Sequence, residues 1–448
     1  MKNRKNYFQS KRDEKVKRAE VDVEEIVWGG KGLTRLNGKI FFVSKAVPEE
    51  RVKIRITLEK SDFGEGEIER IITPSRFRVS PLCKDFKRCG GCQLQMMNYP
   101  SQLSQKQKIA ENILRRWREF AKFNEIIGMK NPFFYRHKGE FHLKVKDGKL
   151  IFGFYEKESH NIVDFENCYL FDDKFNLKLK EVVKCLNSAK CKNSLLSFSL
   201  SCSETGKDYV LSLSHKGSFK DENEILEKLS PANLKGIIVE NEETQSIRTV
   251  EECFITYSIK QSEEILKEIH FKVNPKSFTQ ANFEMNSLLI KESLRLLNLS
   301  NYESILELFS GVGNFSLPIS LRCKEVLSIE GSEVASKDAK FNSTFNGITN
   351  VENINGDVNE WILKLLAQSR QFDVIFLDPP RSGSFEIMDT IARFQPKKIL
   401  YVSCFLPTLE RDLRRIYEFG YAPTEFSFFD MVPQTYGIET IALLTRKK

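Results

Sequence analysis

Apolar and polar positions fall into three successive patterns along the chain. Between residues 21 and 73, short β-rich runs at 24–28, 39–43 and 51–56 are separated by Gly-Gly-Lys-Gly, Asn37-Gly38 and Phe63-Gly64-Glu65-Gly66. Such runs between turn-forming residues predict a small all-β barrel. Lys and Arg alternate with its apolar residues, which predicts one basic face. Leu103, Ile109, Ile113, Leu114, Trp117 and Phe120 then form an apolar stripe, with Arg115, Arg116 and Arg118 off it. That period predicts a helix over 101–120. Residues 131–270 mix strand patterns (139–145, 150–155, 195–200, 209–213, 236–240) with one or two helices.

From about residue 274 the pattern changes again. A helix over 282–297 leads into alternating strand and helix patterns, with strands at 304–309, 325–330, 351–355, 373–378, 398–403 and near 439–445. This alternation predicts a parallel, doubly wound α/β sheet with ligands at the carboxyl ends of its strands. The expected division is therefore a tail over 1–20, a barrel over 21–74, a central α+β domain over 75–273 and a Rossmann-like domain over 274–448. A chain of 448 residues is long enough for several such cores.

Charge changes this picture at one end. The net charge is +8, and residues 1–20 hold eight Lys/Arg against Asp13, Glu14 and Glu20. That excess suits a solvated, disordered tail or an arm for a phosphate backbone. No apolar run approaches the ~20 residues of a membrane span, and no secretory signal opens the chain. With ten cysteines and no such signal, reduced thiols in a cytoplasmic protein are expected.

The candidate chemistry sits at strand ends. The first strand of the α/β region runs into Phe309-Ser310-Gly311-Val312-Gly313-Asn314, where glycines let a ligand approach the backbone. The second strand ends in Glu330, suited to ribose hydroxyls, and the third is followed by Asp357, placed to meet an adenine edge. Position 316 is Ser, so the dinucleotide fingerprint is incomplete, and S-adenosylmethionine fits better than a pyrophosphate cofactor. The fourth strand ends in Asp378-Pro379-Pro380-Arg381, the fifth in Val402-Ser403-Cys404, and Glu439 opens the last. Uracil carbon 5 becomes nucleophilic when a thiolate adds at carbon 6, and a base must later remove the carbon-5 proton. Cys404 and Glu439 are the residue types this requires. With Arg at 381 and no second Cys on the fourth loop, uracil is favoured over an exocyclic amine or cytosine.

Cys83, Cys89 and Cys92 form C-x5-C-x2-C, and Cys168 stands alone downstream. Four thiolates suit zinc or an iron–sulfur cluster, and the asymmetric spacing favours 4Fe–4S over zinc. Cys185, Cys191, Cys202, Cys253 and Cys323 show no ligand spacing and read as structural.

The first barrel resembles a TRAM domain, an OB-like RNA-binding barrel. The ordered set Cys89-Gly-Gly-Cys92-Gln93, Tyr135-Arg-His-Lys138, Phe278-Thr-Gln280-Ala-Asn282, Leu308 to Phe315, Leu377 to Arg381 and Val402 to Cys404 resembles the RNA uracil-carbon-5 methyltransferase family. Within it the chain is most similar to the cluster-bearing 23S ribosomal RNA branch. The resemblance implies a class I methyltransferase fold with Gln280, Phe309, Gly311, Asn314, Glu330, Asp357 and Asp378 at the S-adenosylmethionine site. It also implies Cys404 as nucleophile, Glu439 as base, a 4Fe–4S cluster on Cys83, Cys89, Cys92 and Cys168, and a flipped-out target base. A monomer acting on 23S rRNA, with no membrane partner, is expected. The same chemistry on tRNA and a non-catalytic RNA-binding iron–sulfur protein are the alternatives. The chain departs from the family at Phe405, where Asn is usual, and at Ala281, where Val is usual.

Overall fold

The computed structural model describes residues 17–447. They fall into two compact units, one ending at Leu82 and completed by Cys92–Gln105 and Gln434–Tyr436, the other holding the remainder. Residues 1–16 of the expected basic tail lie outside the described residues, and Arg18 already belongs to a strand.

The first unit is built on a closed barrel of β1 (Arg18–Ile26), β2 (Gly32–Leu36), β3 (Lys39–Ser44), β4 (Arg51–Glu59) and β5 (Phe63–Thr73). β1 pairs with both β2 and β4, and β3 runs parallel to β5. Val21, Val23, Val43, Val52 and Ile54 fill its interior. Residues 63–66, expected to turn, instead begin β5. Gly64 is required there because a Cβ would lie 2.2 Å from Cε1 of the buried Phe41 ring. A glycine set by packing thus reads in the sequence as one set by a turn.

The expected basic face is also corrected. Residues 18–73 hold ten Lys/Arg against eleven Asp/Glu. These pair across the barrel surface: Arg18 with Glu69 at 2.8 Å, Lys31 with Glu65 at 2.8 Å, and Arg55 with Glu67 at 2.5 Å. Acidic residues are thus interspersed with the basic ones on the barrel surface, although Arg18 stands opposite Arg55 and Lys53 opposite Arg70 on adjacent strands.

In the second unit, α1 (Tyr99–Ile113), whose residues from Lys106 onward belong here, stops short of the expected residue 120. The chain tightens into a 3-10 turn at Arg115–Trp117, and the buried Trp117 indole packs 5.4 Å from Tyr417. Strand β6 (Lys122–Phe123) follows. A seven-stranded sheet contains β7 (Lys138–Lys146), β8 (Lys149–Tyr155), β9 (Ile162–Asp164), β10 (Leu195–Cys202), β11 (Tyr209–His215), β12 (Gly236–Asn241) and β13 (Ser246–Glu251), in the order β13-β12-β11-β10-β7-β8-β9. Helices α2 (Asp173–Asn187) and α3 (Phe219–Leu229) pack on it through Phe175, Leu179 and Ile225. A hairpin of β14 (Ile255–Ile259) and β15 (Ile269–Val273) leads to α4 (Phe283–Leu297).

The C-terminal sheet contains β16 (Ser304–Leu308), β17 (Glu325–Glu330), β18 (Val351–Asn355), β19 (Val374–Leu377), β20 (Lys398–Ser403), β21 (Tyr421–Phe429) and β22 (Glu439–Arg446). Its order is β18-β17-β16-β19-β20-β22-β21-β6, parallel except for the antiparallel β22. Between its strands lie α5 (Ser316–Ser320), α6 (Glu333–Phe345), α7 (Val358–Ala367), α8 (Met388–Arg393) and α9 (Leu406–Glu418). Strand order reverses between β16 and β19, where a doubly wound sheet opens a crevice for ligands. β21 carries no clean alternation, because Pro423 and a register shift interrupt it. β6 closes the edge beside β21, so residues before the expected boundary near 274 contribute to this sheet. No helix among the described residues is long and apolar enough to cross a membrane.

Candidate active site

The crevice is built by the loop after β16. Phe309, Gly311 and Gly313 have φ of 63°, 57° and 87°, so the chain coils tightly at the strand's end. Glu330, at the end of β17, holds this coil. One carboxylate oxygen accepts from Gly311 N at 2.8 Å and the other from Ser332 N at 2.7 Å. Each oxygen retains a second lone pair for a ligand hydroxyl. Asn314 forms a reciprocal amide pair with Asn286 of α4 at 2.8 and 2.9 Å and accepts from Tyr257 Oη at 3.2 Å. Asp357 is exposed and caps α7 by accepting from Glu360 N at 3.0 Å. Gln280 is half-buried in the segment between β15 and α4. That segment is fixed by Asp338, which accepts from Asn274 N and Ser277 Oγ.

Beneath the loop, Glu307 is fully buried. Its Oε2 accepts from Ser316, and its Oε1 has no hydrogen-bond partner among the described residues. Burial, with Asp378 and Glu330 adding to it, pushes its carboxyl up to about 8. An orphaned buried carboxyl oxygen beside a glycine turn fits a ligand that brings positive charge, as S-adenosylmethionine does.

At the far side of the crevice, β20 and β22 pair with Ser403 opposite Thr440. The next residues in that register are Cys404 and Glu439, so the thiol and the carboxyl meet where the strands part. Asp378 follows β19, the other neighbour of β20. Burial raises Cys404 to about 11, with Glu439 and Asp378 pushing the same way, while the Arg381 side chain hydrogen-bonds the thiol and opposes them. Burial and Asp378 hold Glu439 well above the usual carboxylate range, with Arg381 again opposing. Asp378 is lifted to about 7 by burial and then Glu330. A thiol, two proton-avid carboxyls and one guanidinium thus share a crevice, the kind of cluster in which proton transfers occur near neutrality.

The family model for tRNA (uracil-5-)-methyltransferases matches residues 98–447. The chain belongs to that family. Full-length relatives include uncharacterised RNA methyltransferases from Clostridium tetani (31% identical, covering 93% of this chain and 94% of the relative) and Caldanaerobacter subterraneus (32%, 95% and 98%). Among solved structures, the Pyrococcus abyssi tRNA (uracil-54, C5)-methyltransferase in complex with S-adenosyl-L-homocysteine superposes with a TM-score of 0.71. It covers 95% of this chain and 99% of its own at 21% identity, a likeness of fold. The chain is a methyltransferase that uses S-adenosylmethionine on uracil carbon 5 of RNA.

Several groups of this methyltransferase carry no sequence signal of their own. Arg381 reads as the residue that spoils an amine-type motif, yet its guanidinium reaches the thiol. Asp412, fully buried on α9, accepts from Ser384 N at 2.6 Å, Tyr401 Oη at 2.7 Å and Arg411 Nε at 2.8 Å. It thereby ties the loop after Asp378 to β20. Asn286 and Glu307 lie on an apolar helix face and within a buried strand, where periodicity reports only burial. Phe405 stands at the N-cap of α9, where Thr408 Oγ1 donates to its carbonyl and to that of Arg381, both at 3.0 Å.

Three of the four motif cysteines lie in the second unit. Cys83 and Cys89 flank a 3-10 turn, Cys89 pairs with Glu156 just beyond β8, and its Sγ accepts from Gly91 N at 3.4 Å. Cys168 follows β9, its N–H held by Asn176 Oδ1 at 2.9 Å. Cys92 belongs to the first unit. An amide directed at sulfur and a soft donor set suit a thiolate-bound cluster. Cys191, read as structural, has its thiol near Asp221 and Glu224. Those carboxylates already accept from Ser218 N and Lys190 N.

Proposed function

We propose that the chain forms 5-methyluridine in 23S rRNA through a covalent adduct between Cys404 Sγ and uracil carbon 6. The register that sets Cys404 beside Glu439, with Asp378 and Arg381 around them, carries this reading. S-adenosylmethionine, when bound, supplies an electrophilic methyl group; Gln280, Phe309, Gly311, Asn314, Glu330, Asp357 and Asp378 would hold it. Arg381 favours the thiolate, which adds to carbon 6 and makes carbon 5 nucleophilic. After carbon 5 accepts the methyl group, Glu439 takes its proton. The C–H electron pair then forms the carbon 5–carbon 6 double bond, and the thiolate leaves. The high proton affinity of Glu439 suits a group that accepts a weakly acidic carbon-bound proton.

Cys83, Cys89, Cys92 and Cys168 would hold a 4Fe–4S cluster, and the OB-like, TRAM-type barrel would grip RNA. This cluster-and-barrel pairing is what favours ribosomal RNA. tRNA is the second reading, favoured by the substrate named for the Pyrococcus abyssi enzyme. The test is incubation with 5-fluorouridine-containing 23S rRNA fragments or tRNA and S-adenosylmethionine. A denaturation-stable complex with rRNA, lost in Cys404→Ala, is expected. A complex with tRNA alone reverses the substrate assignment, and none with either RNA overturns the mechanism. Stoichiometric zinc without iron after anaerobic purification overturns the cluster.

A further inference from the structure

Lys106 of α1 is a fully buried lysine far in sequence from Cys404 and Glu439. Its Nζ donates to Asp430 Oδ1 and, at 2.9 Å, to the carbonyl of Gly437. Asp430 is equally buried, and its Oδ2 has no hydrogen-bond partner among the described residues. Burial depresses Lys106, while Asp430 opposes that shift. An ion pair wholly out of water is rarely a net gain over apolar side chains of the same volume. Its location supplies another role.

Asp430 directly follows β21, and Gly437 stands two residues before Glu439 at the start of β22. Phe429 pairs with Glu439 in the β21–β22 register. One ammonium group therefore grips both sides of the pairing that presents Glu439 to Cys404. A slip of one residue in a strand would turn Glu439 to the opposite face of the sheet.

We propose that Lys106, through its bonds to Asp430 and Gly437, is a positioning residue for proton removal from carbon 5, holding the Glu439 carboxyl toward the covalent RNA adduct. This rests on the Cys404–Glu439 reading above. Thiolate attack and methyl acceptance precede the step that Glu439 performs. Loss of the clamp should therefore slow release of product more than formation of the adduct.

The test uses the full chain, S-adenosylmethionine with a labelled methyl group, and unmodified 23S rRNA fragments. The variants are Glu439→Gln, Asp430→Asn and the double change Lys106→Met with Asp430→Leu, which replaces the ion pair by apolar volume. The double variant is expected to melt cooperatively, to release methylated RNA about tenfold more slowly than native protein, and to accumulate a denaturation-stable methylated complex, as is expected of Glu439→Gln. Asp430→Asn is expected to shift both readouts in the same direction by less. A parallel loss of complex and product in the double variant indicates a merely structural role and overturns the proposal. Native release by Asp430→Asn overturns it even where the double variant does not fold. If native protein fails to trap 5-fluorouridine RNA, the Cys404–Glu439 reading falls and this proposal with it. If native protein traps that RNA while the double variant releases normally, the clamp alone is refuted.

Discussion

On the barrel, Arg18 meets Glu69 at 2.8 Å and Arg55 meets Glu67 at 2.5 Å, all four side chains in contact with solvent. At the carboxyl ends of the C-terminal sheet, Glu307, Glu330, Asp378 and Glu439 converge, and Glu307 and Glu439 are buried. These barrel charges pair with opposite neighbours in water, where pairing contributes little. The crevice gathers carboxyls, Glu330 raising the proton affinity of Glu307 and Asp378, and Asp378 that of Glu307 and Glu439. The first arrangement is compatible with any soluble surface. The second is unfavourable unless a ligand or a reaction uses it, which is why it marks the site.

The largest expected effect concerns the thiol. With Cys404 at about 11, the rate of adduct formation should rise about tenfold per pH unit from 7 to 9, as the thiolate fraction does. Arg381→Met should lower that rate about tenfold or more across the window, because it removes the group favouring the thiolate. Stopped reactions with 5-fluorouridine RNA read both effects, and a flat pH profile would remove the thiol from the rate-determining chemistry.

Next is the glycine coil. Glu330→Ala leaves the Gly311 and Ser332 amides without their acceptor, and charged hydrogen bonds of this kind are worth about 1.5–3 kcal/mol. Titration calorimetry with S-adenosylhomocysteine should therefore show affinity weakened by about tenfold or more. Unchanged affinity would mean that Glu330 neither shapes nor lines the site.

A smaller effect tests the claim of stored electrostatic strain. The folded chain holds a proton on Glu307 up to about pH 8, whereas an unfolded chain releases it near the ordinary 4.5. Between those values the folded state binds the extra proton, so stability falls as pH rises. Glu307→Gln should consequently gain melting temperature over native protein as pH goes from 5 to 8. A difference that does not grow with pH would contradict the burial argument.

The smallest effect is on the barrel. Breaking the exposed pair with Arg55→Ala should change stability by less than about 1 kcal/mol, measured by denaturant unfolding. A larger loss would erase the contrast between the two regions.

The α/β alternation after residue 274 and the strand ends carrying Glu330, Asp378, Cys404 and Glu439 were legible in the sequence. Each is a local pattern, with apolar runs of strand length interrupted by chemistry-bearing residues. The glycines of β5 were misread because a glycine required by Phe41 looks like one required by a turn. β21 was missed because Pro423 and its irregular register hide its period. The basic face dissolved because alternation along one strand says nothing of the acids on the next.

By itself, then, the sequence determined the succession of barrel, mixed sheet and doubly wound sheet, and which residue types stand at the strand ends. Tertiary structure decided the charge state of those residues: Arg381 at the thiol, Glu307 orphaned under the glycine loop, and Lys106 clamped between Asp430 and Gly437. The reason is physical. Periodicity records whether a position faces water, whereas proton affinity depends on which distant groups share its burial.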